Sequence, residues 1–287
     1  FAGRWAASSH TDKLLKIGGW TLIEIIVIMT AAIVGAEWWM KWLDWTLPTP
    51  EANLAADEAL LDWGEAQSGA EVLRFWEVSR PFVVVGYANE VAAEVDEAAC
   101  ASRGIPILRR CSGGGTVVQG PGCLNYSVVL RITPGGPTRN ITSTNQFVME
   151  RHALALRAAL GGLASAPRVE GHTDLALEGV KFSGNAQRRK RHCLLFHGTV
   201  LLDFDLALVE AVLRMPSRQP DYRQNRPHRE FIRNLPADRQ TVKRALREAW
   251  QADEAFGSPP LAAVDALIQE KYGRPEWHHR RLRPDPR

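Results

Sequence analysis

Residues 108–130, LRRCSGGGTVVQGPGCLNYSVVL, constrain this chain more than any other stretch. Two arginines run into three consecutive glycines, and two short apolar runs follow. Glycine lacks a Cβ, so Gly113, Gly114 and Gly115 reach backbone angles closed to other residues. Successive backbone N–H groups in such a loop make a concave site for an anion. Arg109 and Arg110 bring charge to the same end, and a guanidinium suits phosphate or carboxylate geometry. The stretch reads as a strand, an anion-binding loop and a hairpin. It is not a P-loop, since no Gly-Lys-Ser/Thr follows the glycines. Nor is it a dinucleotide fingerprint, because TVV and LNYSVVL read as strand where a helix would have to open. Taken alone, the glycine run reads more readily as a plain turn between strands.

The rest of the chain alternates between strands and helices. Thr49 and Pro50 mark a helix start, and Leu54 and Leu61 follow at helical spacing. Residues 72–78 and 82–87 read as strands, 90–102 as a helix, 105–108 and 123–132 as strands, and 143–160 as a helix. Residues 174–177 and 180–183 form a short hairpin about Glu178-Gly179. Another strand covers 193–202, and residues 203–213 turn helical. Residues 215–235, rich in Arg, Pro and Asn, read as an irregular loop. Helices follow at 242–256 and 261–272, then a basic tail from 278 onward. The expected fold class is α+β, a largely antiparallel mixed sheet flanked by helices. The expected domains are 1–39, 40–236 and 237–287.

Two motifs in order identify a family resemblance. RRCSGGGTVV with GCLNYS is similar to the signature of the lipoate–protein ligase A family, within the biotin/lipoate ligase superfamily. DLALEGVKFSGNAQRRKRHCLLFHGTVLLD, residues 174–203, resembles that family's lysine segment. The resemblance covers about residues 40–235 and implies the superfamily's catalytic fold. It also implies ATP-dependent activation of lipoate or octanoate to acyl-AMP, then transfer to a protein lysine.

That chemistry must hold a carboxylate and a triphosphate together, which calls for fixed positive charge and oriented N–H groups. The resemblance implies that Arg110 and the backbone of Gly113, Gly114, Gly115, Thr116, Val117 and Val118 contact the nucleotide. It makes Lys181 the catalytic residue, a protonated ammonium that grips the acyl carboxylate and α-phosphate. On residue type alone, a lysine between Val180 and Phe182 is an outward-facing charge. Ser183, Gly184 and Asn185 would set the tight backbone after it. Asp174 would serve the nucleotide and Mg²⁺, which keeps few protein ligands beside phosphates. Trp76, Val84, Gly86, His197 and Gly198 are candidates for the acyl pocket, with core packing open for Trp76 and Val84. His197 is read as orienting a strand end rather than as a general base.

The rival reading is octanoyl transfer from acyl carrier protein without ATP. Related octanoyltransferases use a cysteine nucleophile, and a thiolate needs a positive or basic neighbour. Residues 166–173 and 198–287 contain no cysteine, and Cys111 and Cys193 sit in glycine-rich or apolar surroundings. This favours the ligase reading. Biotin ligase is weaker, because its Gly-Arg-Gly-rich loop is not seen at 109–120. A third reading is a ligase-like binding protein that needs a partner, since the family's accessory domain is missing or cut to 237–287.

The four cysteines form no CxxC pair or zinc spacing, so no metal site beyond ATP-borne Mg²⁺ is expected. The same count fits a reducing, cytoplasmic setting. A net charge of +3 gives no reason to invoke nucleic acid. The basic run 188–191 reads as a solvated turn or as a patch for an acidic partner. The implied acceptors are lipoyl domains of 2-oxoacid dehydrogenases or the glycine-cleavage H protein.

Residues 1–39 look foreign to the rest, and 13–36 carry a resemblance of their own. GGWTLIEIIVIMTAAIVGA resembles a type IV pilin-like N-terminal segment, with Glu24 at the fifth place after Gly19. It would form an extra apolar helix and a membrane tether only if residues 17–36 belong to the native chain. The preferred expectation is upstream sequence joined by fusion or a misassigned start, with Met40 opening the enzyme.

Overall fold

A computed structural model describes residues 16–17, 20–21, 40–67, 69–161, 165–216 and 218–280. The chain divides into two units, Phe1–Trp38 and Trp39–Arg287. In the first, Lys16–Ile17 and Trp20–Thr21 pair antiparallel. The rest of the expected apolar helix lies outside the described residues. Among the described residues no helix is long and apolar enough to cross a membrane.

The second unit opens with β1 (Lys41–Asp44) and α1 (Pro50–Ala66). Thr49 caps α1 by accepting the Ala52 N–H, worth about 1 kcal/mol. Strands β2 (Val72–Trp76) and β3 (Phe82–Val85) follow. The expected helix over 90–102 is two short ones, α2 (Val91–Glu94) and α3 (Glu97–Ser102). They separate because Val95 bridges to Leu213 and Asp96 starts a new cap on the Ala99 N–H. Then come β4 (Ile107–Arg109), β5 (Val117–Gln119), β6 (Cys123–Arg131) and α4 (Ile141–Ala159). The lysine segment builds β8 (Asp174–Leu177), β9 (Val180–Arg189) and β10 (Cys193–Leu201), with β7 (Arg168–Glu170) at the edge. Helices α5 (Leu206–Val212), α6 (His228–Phe231) and α7 (Arg239–Trp250) precede a short β11 (Glu254–Ala255). The last described elements are α8 (Leu261–Leu267), a π turn at Ile268–Tyr272 and α9 (Pro275–His278).

Eight strands form one sheet in the order β11-β1-β2-β6-β10-β9-β8-β7. Only the β11–β1 and β1–β2 pairings in it are parallel. A three-stranded sheet, β4-β3-β5, stands apart from it. The fold is α+β, with a largely antiparallel sheet flanked by helices.

Alternation along β6 and β10 decides where the site can be. Tyr126, Val128, Leu194 and Phe196 point to one face, where they join Val148 and Met149 of α4 and Leu246 and Trp250 of α7 in a core. Val129, Cys193 and Leu195 point to the other, against Leu60 and Leu61 of α1. Ser127, His197 and Thr199 share that second face, and His197 and Thr199 line a cavity there.

Candidate active site

The β8–β9 hairpin presents the lysine. Its turn residues, Glu178 at φ 54° and Gly179 at φ 73°, are both left-handed, as a tight two-residue hairpin requires. Lys181 Nζ lies 2.8 Å from Asp174 Oδ1, and Tyr222 donates its hydroxyl to Asp174 Oδ2 at 2.7 Å. Gly184 makes room for the ammonium: a Cβ there would fall 2.6 Å from Lys181 Nζ. Gly198 does the same on the neighbouring strand, because a Cβ would collide with the Asn185 carboxamide.

The glycine loop joins β4 to β5. Arg110 is buried and donates from Nη2 to the carbonyls of Gly113 and Gly115 (2.5 and 2.8 Å), and from Nη1 to Val84 O. The guanidinium thus shapes the loop as well as lining the cavity. Burial also pulls its pKa down to about 10. In a trans peptide the N–H points opposite to the preceding C=O, and the described residues include no cis bond. With the carbonyls of 113 and 115 drawn to Arg110, the amides of Gly114 and Thr116 point away from it. Gly114 takes φ 85°, open to glycine at little cost. Gly86, expected among the acyl-pocket candidates, does not line the cavity. It lies under the loop, where a Cβ would come within 2.1 Å of Gly114 O.

A buried polar chain ties this loop to α1. Ser112 Oγ accepts from Arg110 Nε at 3.1 Å and stands 2.5 Å from His197 Nε2. His197 Nδ1 lies 2.9 Å from Asp57 Oδ2. Asp57 Oδ1 takes Arg74 Nη1 at 2.6 Å and the Ser127 hydroxyl at 2.9 Å. Burial pushes the Asp57 carboxyl up, but His197, Arg74 and Ser127 outweigh it and hold it below the usual carboxylate range. An ionised Asp57 accepts from Nδ1–H, which orients the ring and turns Nε2 to the serine hydroxyl. The partners of His197 are thus two side chains, Asp57 and Ser112, and not a strand end. Asp57 and Ser112 are not apparent from the sequence as site residues. The available signal is a polar pair, Asn53 and Asp57, one turn apart among alanines and leucines of α1.

One cavity of about 940 Å³ gathers most of the expected residues. Lys181, Asp174, Ser183, Gly184 and Asn185 line one side, and Arg110, Gly114, Gly115, Thr116, Val117 and Val118 the other. Trp76, Val84, His197 and Gly198 are also on its wall, whereas Gly86 and Gly113 are not. Leu54, Val118, Leu201 and Leu213 add apolar surface, and Tyr222 and Arg223 enter from the loop expected to be irregular. Among the described residues no cluster of three or more His, Cys, Asp or Glu could hold a metal ion. Asp174 already engages Lys181 with one oxygen and Tyr222 with the other.

None of the four cysteines is on the cavity wall. All are buried, and burial raises Cys100, lifts Cys111 and Cys123 to about 12 and Cys193 to about 11. Such thiols stay protonated at neutral pH.

The expected basic tail from 278 is corrected at its root. His278 is buried and its Nδ1 accepts the Arg109 N–H at 2.9 Å. The Arg109 guanidinium reaches the carbonyls of His278, Gly86 and Asn89. Residues 277–280 thus prop the strand that feeds the glycine loop.

The model of the lipoyl protein ligase A/B catalytic domain matches residues 49–249. The chain belongs to that family. An octanoyltransferase LipM of Kyrpidia tusciae is 32% identical over 265 residues, covering 80% of this chain and 94% of its own length. The LipM of Geobacillus kaustophilus is 25% identical over 273 residues, covering 84% and 98%. A bi-partite lipoate protein ligase from Thermoplasma acidophilum, described together with its E2 lipoyl domain, is 25% identical. It superposes with a TM-score of 0.70, covering 86% of this chain and 99% of its own.

Proposed function

We propose that this chain is a lipoate–protein ligase, which joins lipoate or octanoate to a lysine of a lipoyl domain at the expense of ATP. The observation that carries it is the meeting of Lys181 with the glycine loop across one cavity that no cysteine lines. ATP supplies the leaving group that a carboxylic acid lacks. Lys181 holds the two anions together and offsets charge on the reacting carbonyl, already oriented by Asp174. The amides of Gly114 and Thr116 are placed for an anion. Fixed donors of this kind act best where water is excluded. Mg²⁺ would travel with the phosphates, and Asp174 is the carboxylate paired with the lysine.

The relatives give a second reading its weight. Both LipM proteins match along nearly their whole length, and their name is that of an octanoyltransferase. In that reading the same cavity takes an octanoyl thioester and needs a nucleophile or direct attack by the acceptor lysine. Lipoyl domains are the acceptors in either case, in keeping with the Thermoplasma pair. Purified chain with lipoate, ATP and a lipoyl domain should release pyrophosphate and add the lipoyl mass to one lysine. Octanoyl-acyl carrier protein without ATP should yield no product. Product from the thioester alone would overturn the ligase in favour of the transferase.

A further inference from the structure

A run of buried hydrogen bonds crosses from α7 to the lysine hairpin through residues that the chemistry above does not use. Trp250 Nε1 donates to His152 Nε2 at 2.8 Å, and His152 Nδ1 stands 3.1 Å from the Tyr126 hydroxyl. That hydroxyl donates to Asn185 Oδ1, and Asn185 Nδ2 donates to the Thr173 carbonyl at 2.8 Å. The Thr173 hydroxyl returns a bond to Asn185 O at 2.9 Å. His152 and Tyr126 are each 1% exposed, and Trp250 is 6% exposed.

The direction of every bond follows from its ends. An indole N–H can only donate, so His152 Nε2 must accept. Neutral imidazole then carries its proton on Nδ1 and gives it to the tyrosine oxygen. Burial keeps the ring neutral, pulling its pKa down to about 3. The tyrosine proton is left for Asn185 Oδ1. A carbonyl can only accept, so Thr173 fixes the other end of the carboxamide. No link can be reversed without leaving a buried group unpaired, which costs about 1–3 kcal/mol.

We infer that Trp250, His152 and Tyr126 are positioning residues that lock the Asn185 carboxamide and so fix the spacing of β9 from residues 171–174. The spacing matters because Asp174 ends that segment and Lys181 sits on β9, 2.8 Å away. If Asn185 turns, Thr173 is released and the carboxylate leaves the ammonium. The α4 and α7 helices thereby set the geometry of the catalytic lysine from the opposite face of the sheet. Asn185 lines the cavity, and both ends of its carboxamide are engaged within the protein.

The inference rests on the ligase reading for its kinetic readout alone. Tyr126→Phe removes one hydroxyl and little volume, so the fold should survive. The prediction is a fall in kcat of about ten- to thirtyfold for adenylation, with KM for ATP and lipoate changed less than about twofold, as expected when only transition-state contacts are lost. His152→Gln keeps an acceptor and a donor and should recover part of the loss seen in His152→Phe. Trp250→Phe and Tyr126→Phe should not add, because each breaks the same chain. Unchanged kcat in Tyr126→Phe, or strictly additive losses, would overturn the inference. A readout that needs no activity is the ¹⁵N spectrum of His152 in the full chain. It should show the Nδ1–H tautomer in the parent and lose that bias in Trp250→Phe. An Nε2–H tautomer in the parent would sink the relay even if the enzyme proves to be a transferase.

Discussion

Gly184 and Lys181 are a sterically matched pair: the ammonium occupies the volume that any side chain at 184 would claim. The nearest approach to a Cβ would be 2.6 Å, to the nitrogen itself. Gly184→Ala should therefore move Lys181 rather than unfold the strand. We expect a loss of about tenfold to a hundredfold in kcat/KM, equivalent to ~1.4–2.7 kcal/mol of transition-state stabilisation. The midpoint of thermal unfolding should shift by only a few degrees. Gly113→Ala is the control, since nothing lies within 4 Å of a Cβ there.

Lys181→Met should abolish turnover while the fold stays intact, as its side chain is 22% exposed. Lys181→Arg should not rescue, because a planar fork cannot lie over Gly184 as an ammonium does. Both can be read from pyrophosphate release and circular dichroism.

Asp57→Asn should destabilise the protein by about 3–5 kcal/mol at pH 7, because Arg74 is left buried without its counter-charge. The folded pKa of Asp57 is depressed. Its contribution is therefore complete above the unfolded value near 3.9 and fades as pH falls through the lower, folded value. The variant's stability curve should be flatter than the parent's in that acid window. Urea midpoints from the acid range up to neutral pH would check this.

Replacing all four cysteines should leave adenylation largely intact and cost stability alone. Cys111, Cys123 and Cys193 are each at most 3% exposed, so alanine leaves small cavities. A hundredfold fall in turnover at unchanged stability would point to a thiol intermediate.

His278→Ala should lower stability by about 1–3 kcal/mol by orphaning the buried Arg109 amide. His278 is held neutral mainly by burial, its folded pKa lying below the ordinary value. Protonation below about pH 6.5 thus favours the unfolded chain. The parent should lose stability there, and the alanine variant should lose less of it on acidification. Chemical denaturation at neutral and mildly acid pH would show both.

Much of the fold was legible because local signals agreed with the tertiary outcome. The Thr49-Pro50 cap, the Glu178-Gly179 turn and the apolar runs of β6 and β10 each mark their element without long-range help. The helix over 90–102 broke because Val95 found Leu213, more than a hundred residues away, and no local pattern encodes such a bridge. At the site, motif spacing located Lys181 and the glycine loop. It could not say which way Arg110 points, since most of its partners are carbonyls and carbonyls carry no residue identity. Asp57 and Tyr222 stayed hidden for a related reason: each gains its meaning from a residue distant in sequence. The family resemblance pointed where periodicity could not, to a glycine run that borders a cavity.

The prop made by residues 277–280 has a consequence for biosynthesis. Lys181 and the glycine loop leave the ribosome long before the segment that braces Arg109. Until that last stretch arrives, the Arg109 guanidinium lacks the carbonyls of Trp277 and His278, and the nascent site must wait for them.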